Sequence, residues 1–194
     1  MTLYRCFAWN QAAGDDQPDT ARWCPRPFQG EGRHDNPDAY GCLYLSDRPL
    51  SCVAEQFAAF RGQRLIPSML VRRGLPLALA RFELAEQAVL LDFDDPDVLK
   101  RATLRPSRVA TRDRAITQPQ ALAAFRQRPR VSGLSWWSTW EAQWRNVTLF
   151  DRAVRHLRVE QVEVLSPTHP AVQEAADWFG LRPMLPEPER AARH

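Results

Sequence analysis

The clearest structural signal in the chain is the stretch Gly41-Cys42-Leu43-Tyr44-Leu45-Ser46-Asp47-Arg48-Pro49. Its apolar run up to Ser46 predicts a short buried strand. Asp47 is a candidate N-cap, and Pro49 would then stand in the first turn of a helix that runs to about Phe60. A strand that leads directly into a capped helix indicates a domain of mixed secondary structure.

The predicted helix has two distinct faces. Val53, Phe57 and Phe60 recur at helical spacing and form its core stripe. Glu55 lies roughly 200° around the helix from Val53, at about 100° per residue, so it points away from that stripe. The helix dipole favours an ionised carboxylate near the helix start. Such a carboxylate can serve a site, although most helix carboxylates off the core stripe are simply solvated.

The rest of the chain mixes strands and helices without strict alternation, which predicts the α+β class. Its 194 residues suit one domain, predicted over residues 1–182 with a flexible tail at 183–194. Further strands are predicted at Thr2 to Ala8, Pro76 to Leu84, Ala88 to Phe93, Val131 to Ser138, Asn146 to Phe150 and Val159 to Leu165. Further helices are predicted at Asp94 to Arg101, Gln118 to Arg126 and Pro170 to Phe179.

Residues 10–36 form a long polar stretch without periodicity, which is typical of a functional or mobile loop. Near its end stands Gly30-Glu31-Gly32-Arg33, where flanking glycines would let the arginine reach a phosphate. A solvated loop arginine is the alternative. Tyr44 is either a half-buried core residue or a ring that stacks on a planar ligand. The run from Ser135 to Trp144 holds four of the seven tryptophans, which suits core packing or stacking on sugars and bases.

Composition excludes several classes of protein. The hydrophobic share of 44% and the charged share of 25% are those of a globular domain. No apolar stretch reaches the roughly 18 to 20 residues of a membrane span, and no signal peptide is visible. The cysteines form no CxxC pair, and the scattered histidines offer no metal site, so we expect reduced thiols in a cytoplasmic protein. No P-loop, dinucleotide-binding glycine motif or nucleophile elbow is present.

The net charge of +3 is too small to argue for direct binding of nucleic acid. Lys100 is the only lysine, so nearly all positive side chains are guanidinium groups. Guanidinium suits planar recognition of phosphate or carboxylate, although a base-composition bias in the genome is the better explanation of the arginine excess.

Several segments, taken in order, resemble the RES domain, the toxin component of one class of bacterial toxin–antitoxin pair. The resemblance covers residues 3 to about 152, and His34-Asp35 departs from the family pattern, which commonly has an aromatic residue and Asn directly after Gly-Arg. The matching segments are Leu3-Tyr4-Arg5-Cys6, Gly32-Arg33 with Asn36-Pro37, Leu43-Tyr44-Leu45-Ser46, Ala54-Glu55, Asp92 to Leu99, Thr117 to Ala123, Gly133-Leu134-Ser135-Trp136-Trp137-Ser138 and Asn146 to Phe150.

The resemblance implies an ADP-ribosyltransferase-like α+β fold, in which small twisted sheets with flanking helices form a cleft for NAD. It implies cleavage of the nicotinamide–ribose bond of NAD, the substrate, without a metal. Arg5 and Arg33 would bind the phosphates, Tyr44 would stack on nicotinamide, and Glu55 would act at the ribose. Ser138 would hold the nicotinamide ribose or carboxamide, and Asn146 is also assigned to NAD binding.

The resemblance leaves the acceptor of ADP-ribose open between water, phosphate and a protein side chain. A partner antitoxin with a helix-turn-helix DNA-binding domain is expected to cover the NAD cleft, and no membrane partner is expected. A catalytically silent interaction module is the alternative of a different class, favoured by the departure at His34-Asp35. Direct nucleic-acid binding through arginines and tryptophans is a further alternative and predicts steeply salt-dependent binding.

Overall fold

The computed structural model describes residues 1–14 and 17–182. The predicted flexible tail therefore lies outside the described residues. Within the described ranges, no helix has the length and apolar character needed to cross a membrane. The strands are β1 (Thr2–Ala8), β2 (Cys42–Ser46), β3 (Val71–Arg72), β4 (Leu75–Leu84), β5 (Val89–Asp92), β6 (Val131–Trp137), β7 (Arg145–Phe150) and β8 (Leu157–Val164).

Helices cover the flanks of these strands, which confirms the predicted α+β class. The α-helices are α1 (Pro49–Phe57), α2 (Pro96–Arg101), α3 (Pro106–Val109), α4 (Arg114–Gln127) and α5 (Pro170–Phe179). Shorter 3-10 helices occur at Arg26–Phe28, Ala58–Phe60, Pro67–Leu70 and Asp151–His156.

The described strands join in one connected sheet, where the resemblance implies small sheets. Their order is β3-β4-β1-β2-β7-β6-β5, and β8 also pairs with β4. Neighbours are antiparallel except β5 and β6. The pairing of β1 with β2 is confined to Tyr4 opposite Ser46, whereas β1 pairs with β4 along its whole length. The sheet is therefore nearly split between β1 and β2, and this split creates room for a cleft.

Both faces of the sheet are packed. Successive side chains of a strand point to opposite faces, and β4 shows this plainly. Leu77 and Leu79 pack with α1 and α5, whereas Ala78, Ala80 and Phe82 pack with Leu3 and Leu43 on the other face. A third cluster lies between the sheet and α4 and includes Trp136 and Phe150. The cluster around Leu3, Phe82 and Leu43 thus joins the two halves of the sheet on the face away from α1 and α5.

Helix α1 differs from its prediction at both ends. Val53 and Phe57 are fully buried, as the core stripe predicts, and Glu55 is exposed. The α-helix stops at Phe57 and continues as a 3-10 turn to Phe60. The predicted N-cap was wrong, because Arg48 occupies that position and no side chain caps the helix. Asp47 instead uses its backbone N–H to pair with the carbonyl of Arg145.

Helix α4 begins at Arg114, four residues before the predicted start at Gln118. A helix that began at Gln118 would have Pro119 in its first turn, where the N–H that proline lacks would have no intrahelical partner. In the structure Asp113 caps the helix by accepting from the N–H of Ala115, and Pro119 lies inside the helix. The cap and the tertiary contacts of this region therefore outweigh the local preference of proline.

Candidate functional site

A cavity of about 390 Å³ opens at the split between β1 and β2. Its volume lies within the range of small-molecule sites. Strands β1 and β2, helix α1, and the loops before α4 and β7 all contribute to its walls. The lining residues are Cys6, Glu31, Gly32, Arg33, Tyr44, Leu45, Ser46, Ser51, Cys52, Glu55, Gln56, Arg112, Arg114, Trp136, Thr139, Trp140 and Asn146.

Three of the predicted site residues, Arg33, Tyr44 and Glu55, meet in this cavity. Arg33 comes from the loop before β2, Tyr44 from β2 and Glu55 from α1, so three consecutive structural elements each supply a side chain to the cavity. Arg33 is held firmly, because its Nη1 donates to the carbonyl oxygens of Val109, at 2.9 Å, and Thr111. Its guanidinium carbon also lies 4.4 Å from the centre of the Trp136 ring, a cation–π contact.

Asp35 organises residues 30–36, which we call the glycine loop. Its buried carboxylate accepts from the backbone N–H of Gly30 at 2.8 Å and of Gly32 at 2.7 Å. It also accepts from the Tyr44 hydroxyl at 2.7 Å. A Cβ on Gly32 would lie 2.5 Å from both the Asp35 carboxylate and the Tyr44 hydroxyl, so only glycine fits there. His34 and Asp35, which depart from the family pattern, are therefore buried, and Asp35 joins the glycine loop to Tyr44 by hydrogen bonds.

The same network fixes Tyr44. Its hydroxyl accepts from the backbone N–H of His34 at 2.9 Å while it donates to Asp35. Burial raises the pKa of Tyr44 well above its usual value, so the phenol stays neutral. The ring borders the cavity with its polar tip anchored, which leaves an aromatic surface free to contact a planar ligand.

His34 is buried against the core and is kept neutral. Its Nδ1 lies 2.8 Å from the Thr148 hydroxyl, and its ring packs edge-on against Trp136. Burial and the nearby Arg33 cation lower the pKa of His34 to about 3. His34 does not line the cavity, so it supports the wall and is not placed to transfer a proton there.

We expect His34 to make folding stability depend on pH. Its folded pKa of about 3 lies below the unfolded value near 6.5, so the unfolded chain takes up the proton first. The stabilisation is complete above about pH 6.5 and is lost as the pH falls toward 3, by a few kcal/mol on the scale of about 1.4 kcal/mol per pKa unit. Urea unfolding of wild type and His34→Gln between pH 4 and 7.5 measures this, and parallel curves for the two proteins would refute it.

Glu55 is the carboxylate best placed for chemistry. Although the residue as a whole is exposed, the cavity walls partly desolvate the Glu55 carboxyl and raise its pKa above its usual value. Trp140, which donates a hydrogen bond, and the Arg33 and Arg112 cations offset part of that rise. Among the described residues, the other carboxylate at the cavity is Glu31, which is exposed and pairs with Arg114 at 2.7 Å.

The thiols at the cavity are poor nucleophiles. Burial raises the pKa of Cys6 to about 12 and that of Cys52 well above its usual value. Both therefore stay protonated near neutral pH, and only a thiolate attacks effectively. Among the described lining residues, the Glu55 carboxyl, which lies near the Arg33 and Arg112 cations, is therefore the better candidate for a chemical role.

Of the other three predicted residues, Asn146 also lines this cavity, whereas Ser138 and Arg5 do not. The Oδ1 of Asn146 accepts from the Ser51 hydroxyl at 3.0 Å. Ser138 is buried beside the cavity, where its hydroxyl accepts from the backbone N–H of Trp140 at 3.1 Å. Arg5 borders a different cavity, and its Nη1 donates to the carbonyls of Ala21, at 2.6 Å, and Trp23. The structure thus does not bring Arg5 and Ser138 to the cavity wall.

Sequence reasoning missed further lining residues, notably Arg112, Arg114 and Trp140. Trp140 stood in the tryptophan-rich run, whose aromatic density was the available signal. Within that run Trp144 and Trp136 belong to the buried core, Trp136 and Trp140 border the cavity, and stacking on a ligand stays a prediction. The arginines before α4 carry no local motif, and only the tertiary fold brings them to the cavity.

Comparisons with known proteins agree with this geometry. The family model described as "RES domain" matches residues 2–173. The crystal structure of the M. tuberculosis MbcT-MbcA toxin-antitoxin complex contains a similar fold, with a TM-score of 0.59 and 20% identity over 93% of this chain and 88% of that one. A search among curated proteins found no match. Since the family model spans nearly the whole described chain, this protein belongs to the RES domain family.

Proposed function

We propose that this chain binds NAD in the cavity and cleaves its nicotinamide–ribose bond. The observation that carries the proposal is the meeting of Arg33, Tyr44 and Glu55 at one cavity in a RES domain. Each of these residues alone has an ordinary structural explanation. Their convergence from three consecutive elements, with a partly desolvated carboxyl near two cations, is typical of a functional site.

The chemistry matches the residues at the cavity. The nicotinamide of NAD is already cationic, so it leaves with the bonding electrons as neutral nicotinamide and needs no acid to protonate it. The sugar that remains resembles an oxocarbenium ion, and a fixed carboxylate stabilises that charge more in the transition state than in the ground state. Glu55 is the carboxylate for this role. With water as acceptor, the products are ADP-ribose, nicotinamide and one proton.

The other residues would position the substrate. Tyr44 has its hydroxyl anchored to Asp35, so its ring is suited to stack on the nicotinamide. Arg33 is fixed by its carbonyl contacts and by Trp136, and its remaining N–H groups would face anionic or hydroxyl groups of the substrate. Asn146 would contribute a hydrogen bond from the cavity wall. Binding roles for Arg5 and Ser138 stay predictions, and their placement favours support of neighbouring loops.

We further propose a toxin role for the protein, neutralised by a partner antitoxin. The fold it shares with a chain of the MbcT-MbcA toxin-antitoxin complex supports this, together with its membership of the RES family. A partner that covers the cavity would block NAD entry. Expression in a bacterial host should then lower cellular NAD and stop growth, and co-expression of a small helix-turn-helix protein from an adjacent gene should restore both. Growth arrest at constant NAD would contradict the proposed mechanism.

The experiment that tests the activity is product analysis. Purified chain is incubated with NAD, with and without phosphate and with and without candidate acceptor proteins, and the products are separated by chromatography. Free ADP-ribose identifies water as acceptor, ADP-ribose phosphate identifies phosphate, and labelled protein identifies ADP-ribosyl transfer. Folded wild type that neither binds nor consumes NAD over hours would instead support a catalytically silent interaction module.

A further inference from the structure

Residues 109–114, which we call the arginine segment, contribute Arg112 and Arg114 to the lining of the cavity. Arg33 clasps this segment through the carbonyls of Val109 and Thr111. The backbone carbonyl of Arg33 in turn accepts from the Thr117 hydroxyl at 2.6 Å. Gln118 adds two bonds of 2.9 Å to the carbonyls of Gly30 and Gly32. The glycine loop and the arginine segment therefore form one hydrogen-bonded unit.

Arg112 stands at the cavity within this unit. Its guanidinium carbon lies 4.2 Å from the centre of the Trp140 ring, which fixes its direction by a cation–π contact. It is close enough to Glu55 to act on the ionisation of that carboxyl. Arg112 is exposed to solvent. Within residues 1–14 and 17–182 it forms no ion pair with a carboxylate.

The three arginines that line the cavity thus differ in the groups that their guanidinium groups contact. Arg33 uses Nη1 on backbone carbonyls, and Arg114 pairs with Glu31 at 2.7 Å. Arg112 contacts the Trp140 ring, and among the described residues its N–H groups make no hydrogen bond or ion pair. A guanidinium with unpaired N–H donors is suited to bidentate binding of phosphate oxygens.

We propose that Arg112 is the residue of this cavity that binds the phosphates of the dinucleotide substrate, and that Arg33 acts partly as a positioning residue that places it. This inference rests on the proposed function for the identity of the ligand. The inference assigns phosphate binding to Arg112, which belongs to none of the motifs found in the sequence. It also gives Arg33 a second task, since the carbonyls that Arg33 holds belong to Val109 and Thr111, which lie just before Arg112 in the chain.

Ligands with and without phosphate test the assignment. Binding of NAD, ADP and nicotinamide riboside is measured by calorimetry in a Glu55→Gln background, which prevents turnover. Arg112→Gln should weaken NAD and ADP by about 10- to 100-fold, as for a lost charge-assisted hydrogen bond. It should leave nicotinamide riboside within about twofold. Arg108→Gln is the matched control, because Arg108 is an exposed arginine in α3 that does not line the cavity.

The positioning role of Arg33 has its own readout. Arg33→Lys keeps the charge and loses the planar donors that clasp the segment. If Arg33 places Arg112, the loss of NAD affinity in the double variant Arg33→Lys/Arg112→Gln should be smaller than the sum of the two single losses, in free energy. Additive losses would refute positioning.

The pH profile of turnover gives a further readout. Arg112 lowers the pKa of Glu55, so Arg112→Gln should move the acid limb of the profile to higher pH, while Arg108→Gln should not. The ionisable groups that border the cavity with Glu55 are Arg33, Arg112, Arg114, Glu31, Tyr44, Cys6 and Cys52.

Failure of this inference is distinct from failure of the proposed function. Wild type that consumes NAD, with Arg112→Gln binding NAD and ADP as wild type does, would overturn only the role of Arg112. Wild type that binds ADP through Arg112 without consuming NAD would overturn the proposed function and keep the anion site. Equal weakening of nicotinamide riboside and NAD would mean that Arg112 merely shapes the cavity, which also overturns the inference.

Discussion

Glu55→Gln should lower the rate of nicotinamide release by about 100-fold or more while the protein stays folded. The amide has nearly the shape of the carboxylate but lacks its charge, so it cannot stabilise the oxocarbenium-like sugar. The assay is single-turnover release of nicotinamide from NAD. Glu86→Gln, in the exposed turn between β4 and β5, is the control and should retain wild-type rates. A Glu55→Gln rate within a fewfold of wild type would remove Glu55 from the chemistry.

The stability of the same variant provides an independent check. Because partial desolvation raises the pKa of Glu55, the ionised carboxylate is less favourable in the folded protein than in the unfolded chain, and it costs stability when ionised. Glu55→Gln should therefore unfold at a temperature equal to or above that of wild type. Loss of activity without loss of stability is the signature of a residue kept for function. A marked fall in Tm would indicate a structural role instead.

Asp35→Ala should cost about 3 kcal/mol or more of unfolding free energy and abolish NAD turnover. The substitution leaves the N–H groups of Gly30 and Gly32 and the Tyr44 hydroxyl without their buried acceptor. The glycine loop would then lose the conformation that carries Arg33. Urea unfolding and the NAD assay measure the two effects.

Asp38→Ala is the matched control for Asp35, because Asp38 lies nearby in the chain and is exposed. It should change stability by less than about 0.5 kcal/mol. Asp35→Asn should fall between wild type and Asp35→Ala, since an amide keeps one oxygen but presents N–H groups to the backbone donors. Asp35→Ala with wild-type stability and turnover would show that the glycine loop holds its shape by other contacts.

Much of the secondary structure could be predicted from local patterns. Thr2–Ala8 and Pro170–Phe179 were predicted with the bounds that the structure shows, because alternation and periodicity are local properties. The start of α4 was not predictable, since its cap at Asp113 and its docking on the glycine loop outweigh Pro119. The two-residue strand β3 and the four-residue helix α3 were missed, because so few residues carry no periodic signal.

The residues of the candidate site were likewise predicted only in part from the sequence. Arg33, Tyr44 and Glu55 were identified through the family resemblance and lie together at the cavity. His34 and Asp35 were noted only as a departure, and their burial depends on Thr148 and Tyr44, which are remote in sequence. Arg112 is one of many arginines in the chain, and only the fold places it over Trp140. Contacts of this kind have no local signature.

A structure of Glu55→Gln crystallised with NAD tests the central claim most directly. The nicotinamide ribose should lie in the cavity between Tyr44 and position 55, with nicotinamide against the Tyr44 ring and the phosphates toward the arginine segment. The carbon of the bond to be broken should face the side chain at position 55. NAD bound at another surface, or a saturating NAD concentration that leaves this cavity without the dinucleotide, would contradict it.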